Sequence, residues 1–274
     1  SNIETVFVSK KVTTIATSAF ENCIGLKTLT FEESSTLATI DSRAFYNCNN
    51  LPNVDLPNST TTIGDFAFYG CEKIYTFTIN EKSKLSSIGY GAFANNYRIT
   101  EILIPDDVKT IGEMAFYNCN NLAVVNNDSK LELVINSPSY GYVGYYAKVL
   151  ANGSKKQYET SEKVEVITTP DHFMFTKDSK ENYTLVSYFG QQQSITLPST
   201  IEKISEGAFE NTGMRQKIFD WRGITVIEDC YNASPESMRA AINVLGETVK
   251  ARGGRMLALL GDMRELGATT DMLH

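Results

Sequence analysis

Histidine is almost missing from this chain: His172 and His274 are the only two among 274 residues. That argues against a His-based nucleophile or a His-rich metal site in most of the sequence, and no CxxC pair supplies thiolates instead. Basic clusters are lacking as well. The formal net charge is −7 and no Lys/Arg stripe stands out, which argues against a nucleic-acid partner. No stretch reaches the roughly 18 apolar residues of a membrane span. No signal peptide is visible, but Ser1-Asn2 reads as a remnant of processing, so an export signal upstream stays compatible with the sequence.

What the chain has is a repeat. An Ile, three variable residues and then Ala-Phe recur at Ile15–Phe20, Ile40–Phe45, Ile63–Phe68, Ile88–Phe93, Ile111–Phe116 and Ile204–Phe209. The first five phenylalanines lie 25, 23, 25 and 23 residues apart. Three residues after each comes Cys23, Cys48, Cys71, Asn96, Cys119 or Thr212; six after comes Leu26, Leu51, Ile74, Ile99, Leu122 or, breaking the pattern, Arg215. Regularity of this kind predicts a stack of similar units that share one continuous core.

Each frame is followed by an alternating run, Leu29/Phe31, Val54/Leu56, Phe77/Ile79 and Ile102/Ile104, which predicts a half-buried strand. The outward positions between them are Thr28, Thr30, Asn53, Asp55, Thr76, Thr78, Glu101 and Leu103. Pro57 and Pro105 close two of these strands, because proline has no N–H to continue a ladder. Each unit is therefore expected to be a strand, a turn and a compact segment burying Ile, Ala and Phe. Four of the five cysteines fill one repeat slot. A disulfide would need facing Cα geometry across rungs; a ladder of small buried thiols is the favoured reading. Asn-x-Ser/Thr sequons stand at Asn58, Asn127, Asn152, Asn182 and Asn232 and carry weight only in a eukaryotic source.

These residues resemble the BspA-type leucine-rich repeat, whose units read roughly as strand, Pro, then "IG..AF..C..L"; "TIGDFAFYGCEKI" and "TIGEMAFYNCNNL" are the clearest copies. The likeness covers residues 3–125 closely and 195–212 again. It implies a secreted or surface module for adhesion or protein binding, with the outward residues Thr28, Thr30, Asn53, Asp55, Thr76, Thr78 and Glu101 as the binding surface for a protein or glycan. No cofactor and no catalytic or metal residue is expected in the repeats.

Between the fifth and sixth frames the period fails. Tyr142, Val143, Tyr146, Val149 and Leu150 fall at helical spacing, and strands are expected at 164–167, 173–175, 183–188 and 195–197, with "DSKEN" as a hairpin turn. We read this stretch, about 123–194, as an elaborated repeat within a solenoid of residues 1–212. Tyr140, Tyr142, Tyr145 and Tyr146 offer a sugar-stacking platform, though ordinary packing is favoured.

After residue 212 the character changes. Ile224–Ile227 reads as a strand, Ser234-Pro235 as a helix start, Met238, Ala241, Ile242, Leu245 and Val249 as one apolar helix face, and Met256–Leu260 as a buried parallel strand. Such a βαβ unit binds ligands at the carboxyl ends of its strands, with phosphate suited to the helix N-terminus. "EDCYNASPESM", "LGDMRELG" and His274 resemble, in order and spacing, the C-terminal domain of the MurF-type ligases, which join D-alanyl-D-alanine to the UDP-MurNAc-tripeptide of peptidoglycan. By that resemblance Asp229, Tyr231, Asn232 and Pro235 would face a nucleotide. Ser234 departs from the commoner Asn, and no Gly-rich phosphate loop with its Lys and Ser/Thr occurs anywhere in the chain. ATP and magnesium are expected only if this segment works inside a larger protein, in the cytoplasm; alone it is expected to be inactive.

Thr212-Gly213-Met214 fits both patterns, which favours an accidental chimera over a cap on the last rung. The sheet left incomplete by such a fusion offers an edge for oligomerisation. The fold class expected from all this is α+β: a leucine-rich-repeat solenoid with a helical or turn segment per unit, followed by a partial, Rossmann-like α/β segment at 213–274.

Overall fold

The computed structural model describes residues 2–160, 162–190, 194–205, 208–209, 217–221 and 224–228. The chain forms two compact units, one of residues 1–170 with 174–183, the other of residues 171–173 with 184–274.

Strands alternate between two positions in the repeat. In chain order they are β1 (Thr5–Val8), β2 (Thr14–Ile15), β3 (Thr28–Phe31), β4 (Thr39–Ile40), β5 (Asn53–Asp55), β6 (Thr62–Ile63), β7 (Thr76–Thr78), β8 (Ser87–Ile88), β9 (Glu101–Ile104), β10 (Thr110–Ile111), β11 (Val124–Asn127) and β12 (Val149–Asn152). Strands β3, β5, β7 and β9 are the expected alternating runs; β1 and β11 extend the series by one strand at each end and were not expected. They pair in parallel as β1–β3, β5–β7 and β9–β11–β12. Even-numbered strands β2 to β10 form a second, five-stranded parallel ladder, in which each Thr-Ile or Ser-Ile pair stacks in register on the next. This second ladder contains the Ile of each of the first five frames and was not foreseen from the sequence.

The α+β class is overturned. The first unit is a β-solenoid, and no helix occurs among the described residues. The reason lies in the backbone of the Ala-Phe segment. Residues two before and two after each phenylalanine have positive φ: Ser18 and Asn22 (56° and 55°), Arg43 and Asn47 (57° and 55°), Phe66 and Gly70 (55° and 66°), Gly91 and Asn95 (57° and 64°), Met114 and Asn118 (56° and 57°). A left-handed residue at every fourth position cannot sit in a right-handed helix. Alternate amides are instead divided between two partners. Ala19, Glu21 and Cys23 N–H donate to the carbonyl three residues back, whereas Ser18, Phe20 and Asn22 N–H donate across to Ser42, Ala44 and Tyr46 of the next rung, at 2.9, 2.8 and 2.7 Å. The same division repeats from rung to rung, ending with Phe116 N–H on the carbonyl of Gly141.

Inside, the frame phenylalanines form one column. Phe20, Phe45, Phe68, Phe93 and Phe116 stack at centroid distances of 5.2, 5.2, 5.7 and 5.1 Å. Phe77 wedges edge-on between Phe68 and Phe93. Full burial of such a side chain contributes roughly 1.5–3 kcal/mol, and each ring pair about 0.5–1.5 kcal/mol beyond that. Leu26, Leu51, Ile74, Ile99 and Leu122 are all fully buried around the column.

The helix expected near 142–150 is also absent. Tyr140, Gly141 and Tyr142 take φ of 52°, 63° and 67°, and the segment becomes another rung: Val143, Ala147 and Leu150 are buried, and β12 pairs in register with β11. After it come β13 (Lys155–Tyr158), antiparallel to β12, and β14 (Val164–Thr168), antiparallel to β15 (Phe173–Asp178). In the turn that follows, the Asp178 carboxylate accepts the N–H of Lys180 and Asn182.

Later strands are β16 (Tyr183–Tyr188), β17 (Ser194–Thr196), β18 (Ile201–Ile204), β19 (Lys217–Trp221) and β20 (Ile224–Glu228). In the second unit the sixth frame buries Ala208 and Phe209 as the second to fifth frames bury theirs. There β19 pairs parallel to β17 and antiparallel to β20. The expected strand at 224–227 is thus present. The helix after Ser234, the strand Met256–Leu260 and the junction 212–214 lie outside the described residues.

Candidate functional site

The odd-numbered strands of the first unit carry their apolar residues inward, because side chains alternate along a strand. Leu29, Val54, Phe77, Ile102 and Val125 are buried. Their neighbours must therefore point out. Thr28, Thr30, Asn53, Asp55, Thr76, Thr78 and Glu101 are all exposed, and Leu103 is half-buried. Parallel register aligns them: Thr5 with Thr28 and Phe7 with Thr30, Asn53 with Thr76 and Asp55 with Thr78, Glu101 with Val124 and Leu103 with Asn126. All seven residues expected at a binding surface thus take outward positions on successive odd-numbered strands, in two columns that are in register within each of the three paired groups β1–β3, β5–β7 and β9–β11.

Phe7 was missed by the sequence reading, which started its count at the first Ala-Phe frame. It is 64% exposed, the most exposed of the large apolar residues among those described, and it stands in register with Thr30. The run Thr5-Val6-Phe7-Val8 had the same alternation as the later strands, 23 residues before Thr28–Phe31. Charges on this face are few. Glu101 accepts a hydrogen bond from the Asn126 amide one rung on, at 2.6 Å, and Glu4 pairs with Lys27 at 2.8 Å.

The thiol slot is structural. Cys23, Cys48, Cys71 and Cys119 are buried and unbridged. Cys48, Cys71 and Cys119 each donate their S–H to the carbonyl of the phenylalanine one rung before, Phe20, Phe45 and Phe93, at 3.2, 3.1 and 3.1 Å. Asn96 does the same with its amide, bonding the Phe68 carbonyl at 2.8 Å and its own rung's Phe93 carbonyl at 2.7 Å. Its Oδ1 is buried with no partner. Burial pushes the Cys71 thiol well above the ordinary range and the Cys119 thiol up to about 12, so neither is a nucleophile at neutral pH.

The tyrosine-rich segment packs against itself. Tyr142 meets Tyr117 and Tyr145 edge-on, Tyr145 meets Tyr146, and the Tyr146 hydroxyl accepts the N–H of Asn118 where a rung carbonyl would otherwise stand. A cleft of about 490 Å³ opens beside it, lined by Asn127, Ser129, Leu131, Leu133, Asn152 and Gln157 among others. Its polar side chains largely bond one another, as when the Asn127 amide donates to both Leu131 O and Asn152 Oδ1. Among the described residues no group of three His, Cys, Asp or Glu is placed to hold a metal. The residues expected to face a nucleotide, Asp229, Tyr231, Asn232 and Pro235, lie outside the described residues.

Comparison with known proteins finds two families along the chain, whose matches overlap at residues 214–237. The BspA type leucine rich repeat region matches residues 1–123 and 161–237 in six copies. The glutamate ligase domain of the Mur ligases matches residues 214–274. Over 64 residues the chain is 47% identical to UDP-N-acetylmuramoyl-tripeptide--D-alanyl-D-alanine ligase of Bacillus subtilis (strain 168), a match spanning 23% of this chain and 14% of that protein. Among solved structures, the pneumococcal vaccine antigen PcpA is similar at 22% identity and a TM-score of 0.40, over 75% of this chain and 42% of the other. A leucine-rich repeat protein of T. pallidum gives 22% and 0.44, over 56% and 74%. A leucine rich cell surface protein of Faecalibacterium prausnitzii A2-165 gives 21% and 0.37, over 76% and 58%.

Proposed function

The chain belongs to the BspA-type leucine-rich repeat family, and from that premise we propose that it is a non-enzymatic binding module whose strand face takes a protein partner. The supporting observation is the set of exposed outward residues, in register within each pair of strands, which combine small hydroxyl and amide side chains with two carboxylates and one aromatic, Phe7. A flat surface of this kind gains affinity from many modest contacts around an anchor, and a large exposed aromatic is the residue type that serves as one. Asp55 and Glu101 give the face negative charge, so the partner surface it fits is neutral to basic. The resemblance to exported repeat proteins supports a place outside the cell or on its surface, with adhesion as the role. No helix among the described residues is long and apolar enough to cross a membrane. The test is binding of the full chain to immobilised collagen, laminin and fibronectin. Reversing both charges in Asp55→Lys/Glu101→Lys should weaken at least one of these interactions about ten-fold without altering the melting temperature. Unchanged binding to every protein that the wild type retains would reject the strand face.

A second reading rests on residues 214–274 and their identity to the ligase. In it this segment is a fragment of a MurF-type ligase and inactive alone, since the phosphate loop such an enzyme needs is missing from the sequence. Titration with ATP and magnesium should give no saturable binding. Binding that disappears in Asn232→Ala would reverse that conclusion.

A further inference from the structure

The two ladders of the first unit stop at different rungs. The Thr-Ile ladder ends at β10, while the sheet that starts with β9 continues through β11, β12 and β13. No strand lies between β11 and β12, and residues 128–136 form a loop there. Part of that loop walls the cleft of about 490 Å³, together with Asn127 at the end of β11, Asn152 at the end of β12 and Gln157 of β13. A space of this size suits a side chain or a small molecule.

What the cleft offers is acceptors. Both hydrogens of the Asn127 amide are spent, on Leu131 O and Asn152 Oδ1 at 2.8 and 2.7 Å. The amides of Asn152 and Gln157 each donate to Leu133 O, at 3.2 and 3.3 Å, and the Ser129 hydroxyl donates to Asn127 Oδ1 at 2.6 Å. No Lys, Arg or His lines the space. Asp128 and Glu132 do line it, both exposed and without an ion pair among the described residues. Val134, 52% exposed, supplies an apolar wall.

We infer that this cleft receives an arginine side chain of the protein partner, an inference that rests on the binding-module reading for the source of the arginine. A guanidinium brings five donors, a permanent charge and no acceptor, so it complements a site whose own donors are largely committed. Its methylene stem covers apolar surface such as Val134 while the head stays with the carboxylates. A neutral polyol would ask the site for donors as well as acceptors, and an anion would meet two carboxylates. The negative charge of the strand face favours the same kind of partner.

Amide NMR shifts of the full chain, titrated with Nα-acetyl-arginine methylamide, test this without a partner protein. Saturable shifts confined to residues 127–134 and 152–157 are expected. The citrulline counterpart, equal in shape but uncharged, should bind at least about ten-fold more weakly, and the arginine derivative should lose as much on Asp128→Asn/Glu132→Gln. Both of those positions are exposed, so the melting temperature of the variant should match wild type. Asp55→Lys/Glu101→Lys, on the strand face, should leave the affinity of the cleft as it is. No saturable shift, or equal binding of the citrulline compound, overturns the assignment. So do shifts that survive the cleft substitutions and vanish with those on the strand face. Matrix-protein binding plays no part in this readout, so failure of the cleft and failure of the strand face are seen separately.

Discussion

Asn96 occupies the thiol slot but is not equivalent to a thiol. A cysteine there needs one acceptor, the Phe68 carbonyl, and leaves nothing unpaired. Asparagine brings an extra carbonyl oxygen into a fully buried place, and that Oδ1 has no partner. Its second donor bond goes to Phe93 O, which Cys119 already serves. Asn96→Cys should therefore stabilise the solenoid by about 1 kcal/mol, read as a higher urea midpoint at unchanged slope. The thiols also set a pH dependence. Unfolded, Cys119 titrates near 9; folded, it holds its proton up to about 12. Between those values the native state binds more protons than the unfolded one, so stability falls as pH rises. Stability should be level up to about pH 8.5 and then decline, and Cys119→Ala should flatten that decline while lowering stability at neutral pH. Denaturant midpoints from pH 7 to pH 10 check both, the upper limit being set by lysine and tyrosine titration.

At the scale of the element, what decides the fold is how amides are shared between a turn and its neighbour. The strands on the binding face were legible in the sequence, because period-two alternation with turn residues at each end has one physical meaning. The Ala-Phe segment was harder. Its apolar spacing fits a helical turn, and nothing in that spacing says that every second N–H will reach across to the next rung. The residues that say so are Asn22, Asn47, Gly70, Asn95 and Asn118, all of types that tolerate positive φ, recurring two positions after each phenylalanine. Arg43, Phe66 and Met114 adopt the same conformation without that chemistry, which is why the signal was half hidden. The even-numbered ladder was overlooked for a related reason: two residues per strand are too few to show a period. Its tightness gives a prediction. A Cβ on Gly89 would stand 2.6 Å from both the amide nitrogen of Asp65 and the carbonyl carbon of Gly64. Gly89→Ala must push two rungs apart and should destabilise the first unit by about 1–3 kcal/mol, measured by urea unfolding.

For the whole molecule, the repeat accounts for most of the chain, and its family match overlaps that of the ligase domain at residues 214–237. Arg215 stands in the slot that Leu26, Leu51 and Leu122 fill elsewhere, so the sixth frame departs from the pattern there. The outward columns were legible because their residues stand at a fixed distance after each frame phenylalanine. Phe7 was not, since it belongs to the strand that precedes the first full frame. The central claim is that one face of the first unit, the odd-numbered strands, meets the partner and the second ladder does not. A fluorophore placed on Thr78→Cys or on Thr62→Cys, in a Cys230→Ser background that leaves only the buried ladder thiols, distinguishes the two faces directly. When whichever of collagen, laminin or fibronectin binds the wild type is added, emission should shift for the label at 78 and stay unchanged for the label at 62. A shift confined to 62, or an equal shift at both, would contradict the account.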